Sequence, residues 1–220
     1  MSSNRILSRL SRQDLALLEP HLEAVDLPVR KPLEARRKRI DQIYFIDAGF
    51  ASVVANGTDR PIEVGLIGRE GMTGLAVVLG SDRAQHATYI QAAGKGLRIS
   101  AARLREADER SNTLHRAMLR FAHSFLAQTT TTALANGRSK IEERLARWLL
   151  MADDRIDSEE LPLTHEFLGL MLGTHRPGVT IALQALERAG LITTRRSRIT
   201  IVSRKRLEKS ANGAYVTPEG

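Results

Sequence analysis

The chain has 220 residues, 42% of them hydrophobic, which is enough for one large domain or two small domains with a buried core. It contains no cysteine, and this excludes disulfides, cysteine-ligated zinc and cysteine-ligated iron–sulfur clusters. No apolar run approaches the length of about 18 residues typical of a membrane span, and the N-terminus has no signal-peptide pattern. We therefore expect a cytoplasmic protein with no membrane association.

The net charge of +8 is concentrated towards the C-terminus. Residues 161–209 hold nine Lys and Arg against three Asp and Glu, and nine minus three supplies +6 of the total. Excess positive charge on one short segment favours a nucleic-acid partner over a generally solvated surface.

The first segment, residues 4–25, is predicted to be helical, with Asp14 capping a second helix after Ser11. A cationic segment follows, in which six Lys or Arg lie between Arg30 and Arg39 against one acid, Glu34. This pattern favours an exposed loop beside a strand, because cationic side chains discourage edge pairing. A docking patch for DNA or RNA polymerase is the alternative.

From Ile43 onward, short β-type runs alternate with glycines. The runs are IYFIDAG, ASVVANG, PIEVGLIG, ATYIQAAG and LRISAAR. Their length and regular spacing predict an antiparallel β-roll or barrel, and Asn56-Gly57 is the strongest hairpin signal. Between these strands, the glycine-rich residues 68–87 predict a short helix near Gly74–Leu79, where backbone N–H groups would cradle an anion.

A long helix is predicted from its N-cap, Ser111, to about Asn136-Gly137, which would mark a hinge and domain boundary. Its narrow apolar seam supplies the predicted dimer-contact residues, which are Leu114, Met118, Phe121 and Phe125. A second apolar row consists of Leu119, Ala122 and Leu126. With two rows, the helix can pack on its own domain and on the same helix of a second copy. Burial within one subunit is the alternative.

The next helix is predicted to begin with a capping box of Ser139 and Glu142. Residues Leu163–Ile192 then predict two helices, with Thr164 as an N-cap and Gly173 at a left-handed turn between them. The buried face of the second helix has i, i+3, i+4, i+7 spacing and consists of Val179, Ala182, Leu183 and Leu186. This arrangement is typical of a helix-turn-helix that reads the major groove; an ordinary helical hairpin is the alternative.

Two short β-type runs follow Gly190 and are joined by the basic turn Arg195-Arg196-Ser197-Arg198. A hairpin with a cationic tip is typical of the wing of a winged helix-turn-helix, and its arginines would contact phosphates without reading sequence. The wing therefore favours DNA binding over a plain helical hairpin. The predicted DNA-binding residues are Thr164, His175, Arg176, Pro177, Thr180, Ile181, Gln184, Arg195, Arg196 and Arg198. Residues 211–220 are predicted to be a loose tail.

The run THEFLGLMLGTHRPGVTIALQALERAGLI, the long helix before it, and YFIDAGFASVV with the glycine-rich segment resemble the CRP/FNR superfamily of bacterial transcription regulators. The resemblance implies an α+β chain with a cyclic-nucleotide-binding-like antiparallel β-roll as an effector-type domain over residues 1–110. A dimerisation helix and hinge would follow over 111–137, and a winged helix-turn-helix over 138–220. It also implies a homodimer on a two-fold symmetric DNA site, with half-sites about one helical turn apart.

The effector pocket departs from the cyclic-AMP-responsive branch of this family. That branch uses a Glu for the ribose and an Arg-Ser pair for the phosphate, where this chain has Leu75, Gln85 and His86. Leu75 cannot accept a ribose hydroxyl and Gln85 carries no charge, although Arg83 is a nearby substitute. We therefore expect that cyclic AMP is not the effector, and no cofactor is identified. The predicted pocket residues are Gly74, Leu75, Arg83, Gln85 and His86. Haem ligation by His86 or Met72 is an alternative to a structural role for either.

The family's base-reading positions correspond to Arg176, Pro177 and Ile181. Arg176 is suited to bidentate readout of guanine, and Ile181 to contact with a thymine methyl. Pro177 stands where the common branch has an acid that reads cytosine, and it cannot hydrogen-bond a base. The resemblance thus implies a target sequence different from the family's familiar one.

Two other classes of function are alternatives. An enzyme is disfavoured because the six histidines show no HExxH motif and no nucleophile-elbow context, so no catalytic or metal site is predicted. The second is a ligand-sensing or protein-interaction module without specific DNA readout. The cationic wing argues against this module.

Overall fold

The computed structural model describes residues 2–56, 61–196 and 198–216. The described residues form two compact units. The first contains those up to 55 and those from 65 to 127; the second contains those from 56 to 64 and those from 128 onward. In the part of the chain so described, no helix combines the length and the apolar character that crossing a membrane requires.

A five-stranded sheet is built from the N-terminal part of the chain. Its strands are β1 (Glu23–Leu27), β2 (Pro32–Glu34), β3 (Gln42–Asn56), β4 (Pro61–Ile67) and β5 (Ala87–Ser100). The strand order is β1-β5-β3-β4, with β2 also paired to β5. The pairings of β5 with β1, β2 and β3 are all antiparallel, which confirms the predicted antiparallel roll.

The predicted short runs join into longer strands, because glycines bend the strands instead of ending them. Gly49 lies at φ +75°, where the register of β3 against β5 shifts. Its partner strand needs glycine too, since a Cβ on Gly94 would lie 1.8 Å from the carbonyl oxygen of Ala48. The last run, LRISAAR, is strand only as far as Ser100. In the hairpin signal Asn56-Gly57, Asn56 ends β3 and Gly57 lies outside the described residues.

Four short α-helices accompany the sheet in the described part of the chain, and Glu19–His21 form a turn of 3-10 helix after the second of them. The four α-helices are α1 (Arg5–Ser8), α2 (Arg12–Leu18), α3 (Leu75–Val78) and α4 (Ala101–Arg110). The helical prediction for residues 4–25 is wrong beyond 21, because the chain enters β1 at Glu23. The capping prediction is also corrected: Ser11 caps α2, with its Oγ accepting a hydrogen bond from the Asp14 N–H at 3.1 Å. Helix α4 was not predicted, although Ser100 is its N-cap, and α3 lies where a short helix was predicted.

The long helix α5 (Asn112–Arg138) begins where it was predicted, since the Ser111 Oγ accepts a hydrogen bond from the Leu114 N–H at 3.1 Å. It ends at Arg138, one residue beyond the predicted end near Asn136-Gly137; the hinge at this position stays a prediction. Three of the four seam residues are at most 7% exposed, namely Leu114, Met118 and Phe121. The Phe121 ring packs over Gly71, in the space that a Cβ would take. The seam therefore packs mainly within the first unit.

The second unit contains the remaining helices and a small sheet. They are α6 (Ile141–Asp153), β6 (Glu160–Pro162), α7 (His165–Leu172), α8 (Arg176–Arg188), β7 (Ile192–Arg195), β8 (Arg198–Ile201) and α9 (Arg204–Ser210). The sheet is antiparallel, in the order β6-β8-β7. The capping interaction of α6 lies one residue later than predicted, since the Lys140 N–H donates to the Glu143 carboxylate at 2.9 Å.

The segment after α9 is not the loose tail that composition predicts, as far as residue 216. The buried Arg147 guanidinium donates to the Ala214 carbonyl at 2.9 Å and to the Thr132 hydroxyl at 3.0 Å. Tyr215 donates from its hydroxyl to the Asp154 carboxylate at 2.8 Å. Burial lowers the pKa of Arg147 to about 10, so the side chain is still charged at neutral pH. These contacts order the segment because a buried cation needs its acceptors.

Candidate nucleic-acid interface

Two helices joined by a glycine turn form the centre of the second unit. The first, α7, begins at Thr164, whose hydroxyl accepts a hydrogen bond from the Phe167 N–H at 3.2 Å. It ends at Gly173, which lies at φ +57° in the left-handed region. A Cβ on Gly173 would also lie 2.8 Å from the Ile62 side chain, a residue of the same unit. The predicted cap and turn are both confirmed.

The inner face of α8 is buried as the periodicity predicts. Its four residues are at most 4% exposed, namely Val179, Ala182, Leu183 and Leu186. Behind the helix pair, the indole of Trp148 on α6 meets the Phe167 ring edge-on, with centroids 5.7 Å apart. The Trp148 N–H donates to the buried Glu63 carboxylate at 2.5 Å. This packing links α7 to α6, while α8 is held in the same unit by its own buried face.

The outer face of α8 is open to solvent. Its exposed side chains are Arg176, Pro177, Ile181, Gln184 and Arg188, with His175 exposed at the N-cap position. Pro177 lies in the first turn, where its missing N–H costs no helical hydrogen bond. Thr180 is half-buried: its hydroxyl lies 3.1 Å from the Arg176 carbonyl oxygen and 3.2 Å from the His165 Nδ1. The Thr180 hydroxyl is therefore engaged within the protein.

The wing is the hairpin of β7 and β8. Arg195 pairs with Arg198 across the strands, and Arg196 lies in the turn at φ +42°; Ser197 lies outside the described residues. The three arginines are exposed, and among the ion pairs of the described residues only Arg198 has a close one, with Glu160 at 2.6 Å. Arg195 and Arg196 therefore present the more available charge.

A carboxylate of α8 connects the wing to this helix. The Glu187 side chain accepts hydrogen bonds from the Thr194 N–H at 2.8 Å and from the Thr194 hydroxyl at 3.1 Å. Since Thr194 lies on β7, the first strand of the wing is attached beside the C-terminal half of α8. Helix and wing thus form one continuous structure in the second unit.

Most side chains of the predicted effector pocket lie on the protein surface. Arg83, Gln85 and His86 are exposed, and Leu75 is half-buried. The Gly74 N–H, which was expected to face an anion, donates to the Glu34 carboxylate at 2.8 Å.

Glu34 belongs to the protein's own β2 and was not predicted as a site residue. Its second carboxylate oxygen accepts a hydrogen bond from the Thr88 hydroxyl at 2.5 Å. Burial raises the pKa of Glu34 above its ordinary value. A protein carboxylate thus occupies the acceptor position at this backbone N–H. Among the described residues, no cluster of three or more His, Asp or Glu is arranged to hold a metal ion.

Comparison with known proteins agrees with this geometry. Residues 143–210 match the family described as the Crp-like helix-turn-helix domain. No curated protein matches the chain in sequence.

Solved structures with the same fold cover nearly the whole chain. A proposed CRP/FNR family transcriptional regulator from Eubacterium rectale has a TM-score of 0.75 and 17% identity, over 96% of this chain and 99% of that one. FixK2 from Bradyrhizobium japonicum has a TM-score of 0.74 and 18% identity, over 86% and 96%. The c-di-GMP responsive global regulator CLP from Xanthomonas campestris has a TM-score of 0.71 and 17% identity, over 88% and 100%.

The TM-scores establish a shared fold, whereas the family match over residues 143–210 is a match in sequence. It covers α7, its glycine turn, α8 and the wing, the elements described above as the candidate interface. The chain therefore carries a Crp-like helix-turn-helix domain and has the fold of the CRP/FNR family of transcription regulators.

Proposed function

We propose that the protein is a sequence-specific DNA-binding transcription regulator that inserts α8 into the major groove. The observation that carries the proposal is the two-sided character of α8. One face is fully buried against its own unit, while the other is exposed and begins with Arg176 and Pro177. The N-terminal residues of a recognition helix are those that contact base edges. The wing supplies exposed arginines beside the same helix for the phosphate backbone.

We propose Arg176 as the side chain that reads a base directly. It is the first residue of α8, is exposed, and carries a planar guanidinium that matches the two acceptors of guanine in the major groove. Arg188 carries the same group at the last residue of α8, away from the end that reads bases. The two arginines therefore make a matched pair for an experiment.

The test uses duplexes selected by the purified full-length chain from a random pool. Arg176→Ala should lower the affinity for the selected duplex by about 1 to 3 kcal/mol and leave the affinity for a scrambled duplex nearly unchanged. Arg188→Ala should retain the discrimination between the two duplexes. Selection that returns no preferred sequence would refute specific readout and favour a protein-interaction module. Unchanged discrimination in Arg176→Ala would refute the role of Arg176.

We further propose that the protein acts as a homodimer through the outer face of α5. Exposed leucines recur on this helix at positions 119, 126 and 134, with exposed fractions of 37%, 64% and 57%. Spacings of seven and eight residues place them close to one face of a helix. Two of these leucines belong to the second apolar row of the sequence, and Leu134 extends that row. The row replaces most of the seam of Leu114, Met118, Phe121 and Phe125 as the proposed dimer contact. Phe125, half-buried, is the seam residue that remains available to it.

We propose that cyclic AMP is not the effector of this protein. Leu75 offers no acceptor for a ribose hydroxyl, and the N–H of Gly74 already donates to the Glu34 carboxylate. An incoming phosphate would have to displace the Glu34 side chain from this N–H, because the N–H already has its acceptor. Calorimetric titration of the purified protein should show no binding at micromolar cyclic AMP. A dissociation constant in the micromolar range or below would overturn the proposal.

A further inference from the structure

The outer face of α8 carries one large aliphatic side chain in the middle of the helix. Ile181 is 57% exposed, whereas the four apolar residues of the inner face are at most 4% exposed. One turn earlier lies Pro177, which is also exposed. Positions four residues apart are neighbours on a helix surface. The two side chains therefore form an apolar pair directly after Arg176, outside the core of the unit.

The same stretch of α8 offers few groups for hydrogen bonds to a base. Pro177, Gly178 and Ile181 have no polar side-chain atoms, and the Thr180 hydroxyl lies within hydrogen-bond distance of the Arg176 carbonyl and the His165 ring. A major-groove surface that lacks donors and acceptors cannot recognise a base by its polar edge. What it can recognise is an apolar group that projects into the groove.

The only apolar group that pyrimidines present there is a methyl on C5. Thymine carries this methyl beside its O4 acceptor, while cytosine has an N4 donor and gains the same methyl only as 5-methylcytosine. We infer that the pair Pro177 and Ile181 recognises the C5-methyl group itself, in thymine or in 5-methylcytosine, in each half-site. This inference rests on the proposed function, since it requires α8 to lie in the major groove. It makes Ile181 a specificity-determining residue that reads a methyl group and not a hydrogen-bond pattern.

The inference predicts an unusual order of affinities at one position of the half-site. Thymine and 5-methylcytosine should bind alike, because an apolar contact does not distinguish the O4 atom from the N4 amino group. Uracil and cytosine lack the methyl and should both bind more weakly. Removal of one buried methyl corresponds to a loss of about fourfold in affinity per half-site.

The experiment starts from the duplex selected by the full-length protein. Each thymine of one half-site is replaced in turn by deoxyuridine, and the dissociation constant is measured at a fixed salt concentration. At the position where deoxyuridine weakens binding, four duplexes are then compared, with thymine or uracil opposite adenine and 5-methylcytosine or cytosine opposite guanine. The expected result is a loss of about fourfold on removing the methyl in both pairs.

Ile181→Ala should abolish the difference between thymine and uracil, while the control Arg188→Ala should retain it. Since Ile181 is exposed, both variants should keep the parent's melting temperature. The inference is overturned by a half-site without thymine, by equal affinity for thymine and uracil at every position, by 5-methylcytosine binding no better than cytosine, or by a methyl effect that persists in Ile181→Ala. In all these cases the selected sequence still supports the proposed function, whereas failure to select any sequence overturns both.

Discussion

Two carboxylates of the first unit have pKa values displaced in opposite directions. Asp14 accepts hydrogen bonds from the hydroxyls of Ser111 and Thr113, the second at 2.7 Å, and these bonds lower its pKa. Glu34 is half-buried beside the N–H of Gly74, and this partial burial raises its pKa despite its own hydrogen bonds. Folding therefore favours the charged form of Asp14 and the neutral form of Glu34.

The two carboxylates should give the unfolding free energy opposite pH dependences. Asp14 stabilises the fold above its ordinary pKa of 3.8, and this contribution is lost as the pH falls through the lowered folded value. Asp14→Asn should therefore cost about 1 to 3 kcal/mol at neutral pH and less in acid. The contribution of Glu34 to the free energy of unfolding falls as the pH rises from the ordinary pKa of 4.5 through the raised pKa of the folded state. The stability of Glu34→Gln relative to the parent protein should therefore increase as the pH rises.

Urea unfolding at a series of pH values, followed by circular dichroism, measures both effects. Each variant serves as the control for the other, because a general change in packing would shift the stability of both in the same direction at all pH values. Parallel pH profiles for parent and variants would contradict both assignments.

Single residues were predictable from the sequence where the governing contact is local. Thr164 and Gly173 act within one helical turn, and Val179 lies on a face that periodicity alone defines. Glu34 was not predictable as a site residue, because its partner Gly74 lies forty residues away and only the folded sheet brings the two together. Its cationic neighbours in the sequence instead indicated an exposed loop.

At the scale of the element, the arginines of the wing differ in whether they form an ion pair. Arg195 and Arg196 are exposed, while Arg198 has its ion pair with Glu160. If each free arginine neutralises one DNA phosphate, Arg195→Ala and Arg196→Ala should each lower the slope of log affinity against log salt by about 0.9. Both should weaken selected and scrambled duplexes alike. Arg198→Ala should lower the slope by less, because the ion pair already compensates its charge.

Binding isotherms at several salt concentrations measure these slopes. Glu160→Gln is the matched control, since it frees Arg198 and should increase the salt dependence. Equal slopes for all three arginine variants would show that the ion pair does not persist on DNA. A loss confined to the selected duplex would show that the wing reads bases.

Element boundaries were predicted less well than element types, for reasons visible in the chain. In the sequence, Gly49 and Gly94 indicate strand ends. In the structure, Gly49 permits a bulge and Gly94 permits close approach of the Ala48 carbonyl, both within continuous strands. Helix α5 runs through its β-branched threonines, where Thr132 donates to the Gln128 carbonyl at 2.9 Å and accepts from Arg147. Tertiary contacts of this kind override local propensity.

At the scale of the whole molecule, the proposed dimer depends on side chains that a single chain leaves exposed. Leu126→Glu would place two carboxylates close together in the contact between two α5 helices. We expect this variant to sediment as a monomer and to lose its advantage for a full two-fold site over a single half-site. Sedimentation equilibrium and binding to full and half sites measure the two effects.

Leu79 provides the matched control for this experiment. It is 65% exposed, much like Leu126, but lies outside α5, so Leu79→Glu should leave the assembly unchanged. Dissociation of both variants would indicate a general effect of added charge. A dimeric Leu126→Glu would contradict the proposed face.

Trp148 gives the protein a built-in optical probe. It is the only tryptophan of the chain, is 3% exposed, and lies in the second unit between the Phe167 ring and the Glu63 carboxylate. Its fluorescence emission should therefore shift to longer wavelength when the second unit unfolds and water reaches the indole. Circular dichroism averages over both units, so melting curves from the two signals would coincide only if the units unfold together.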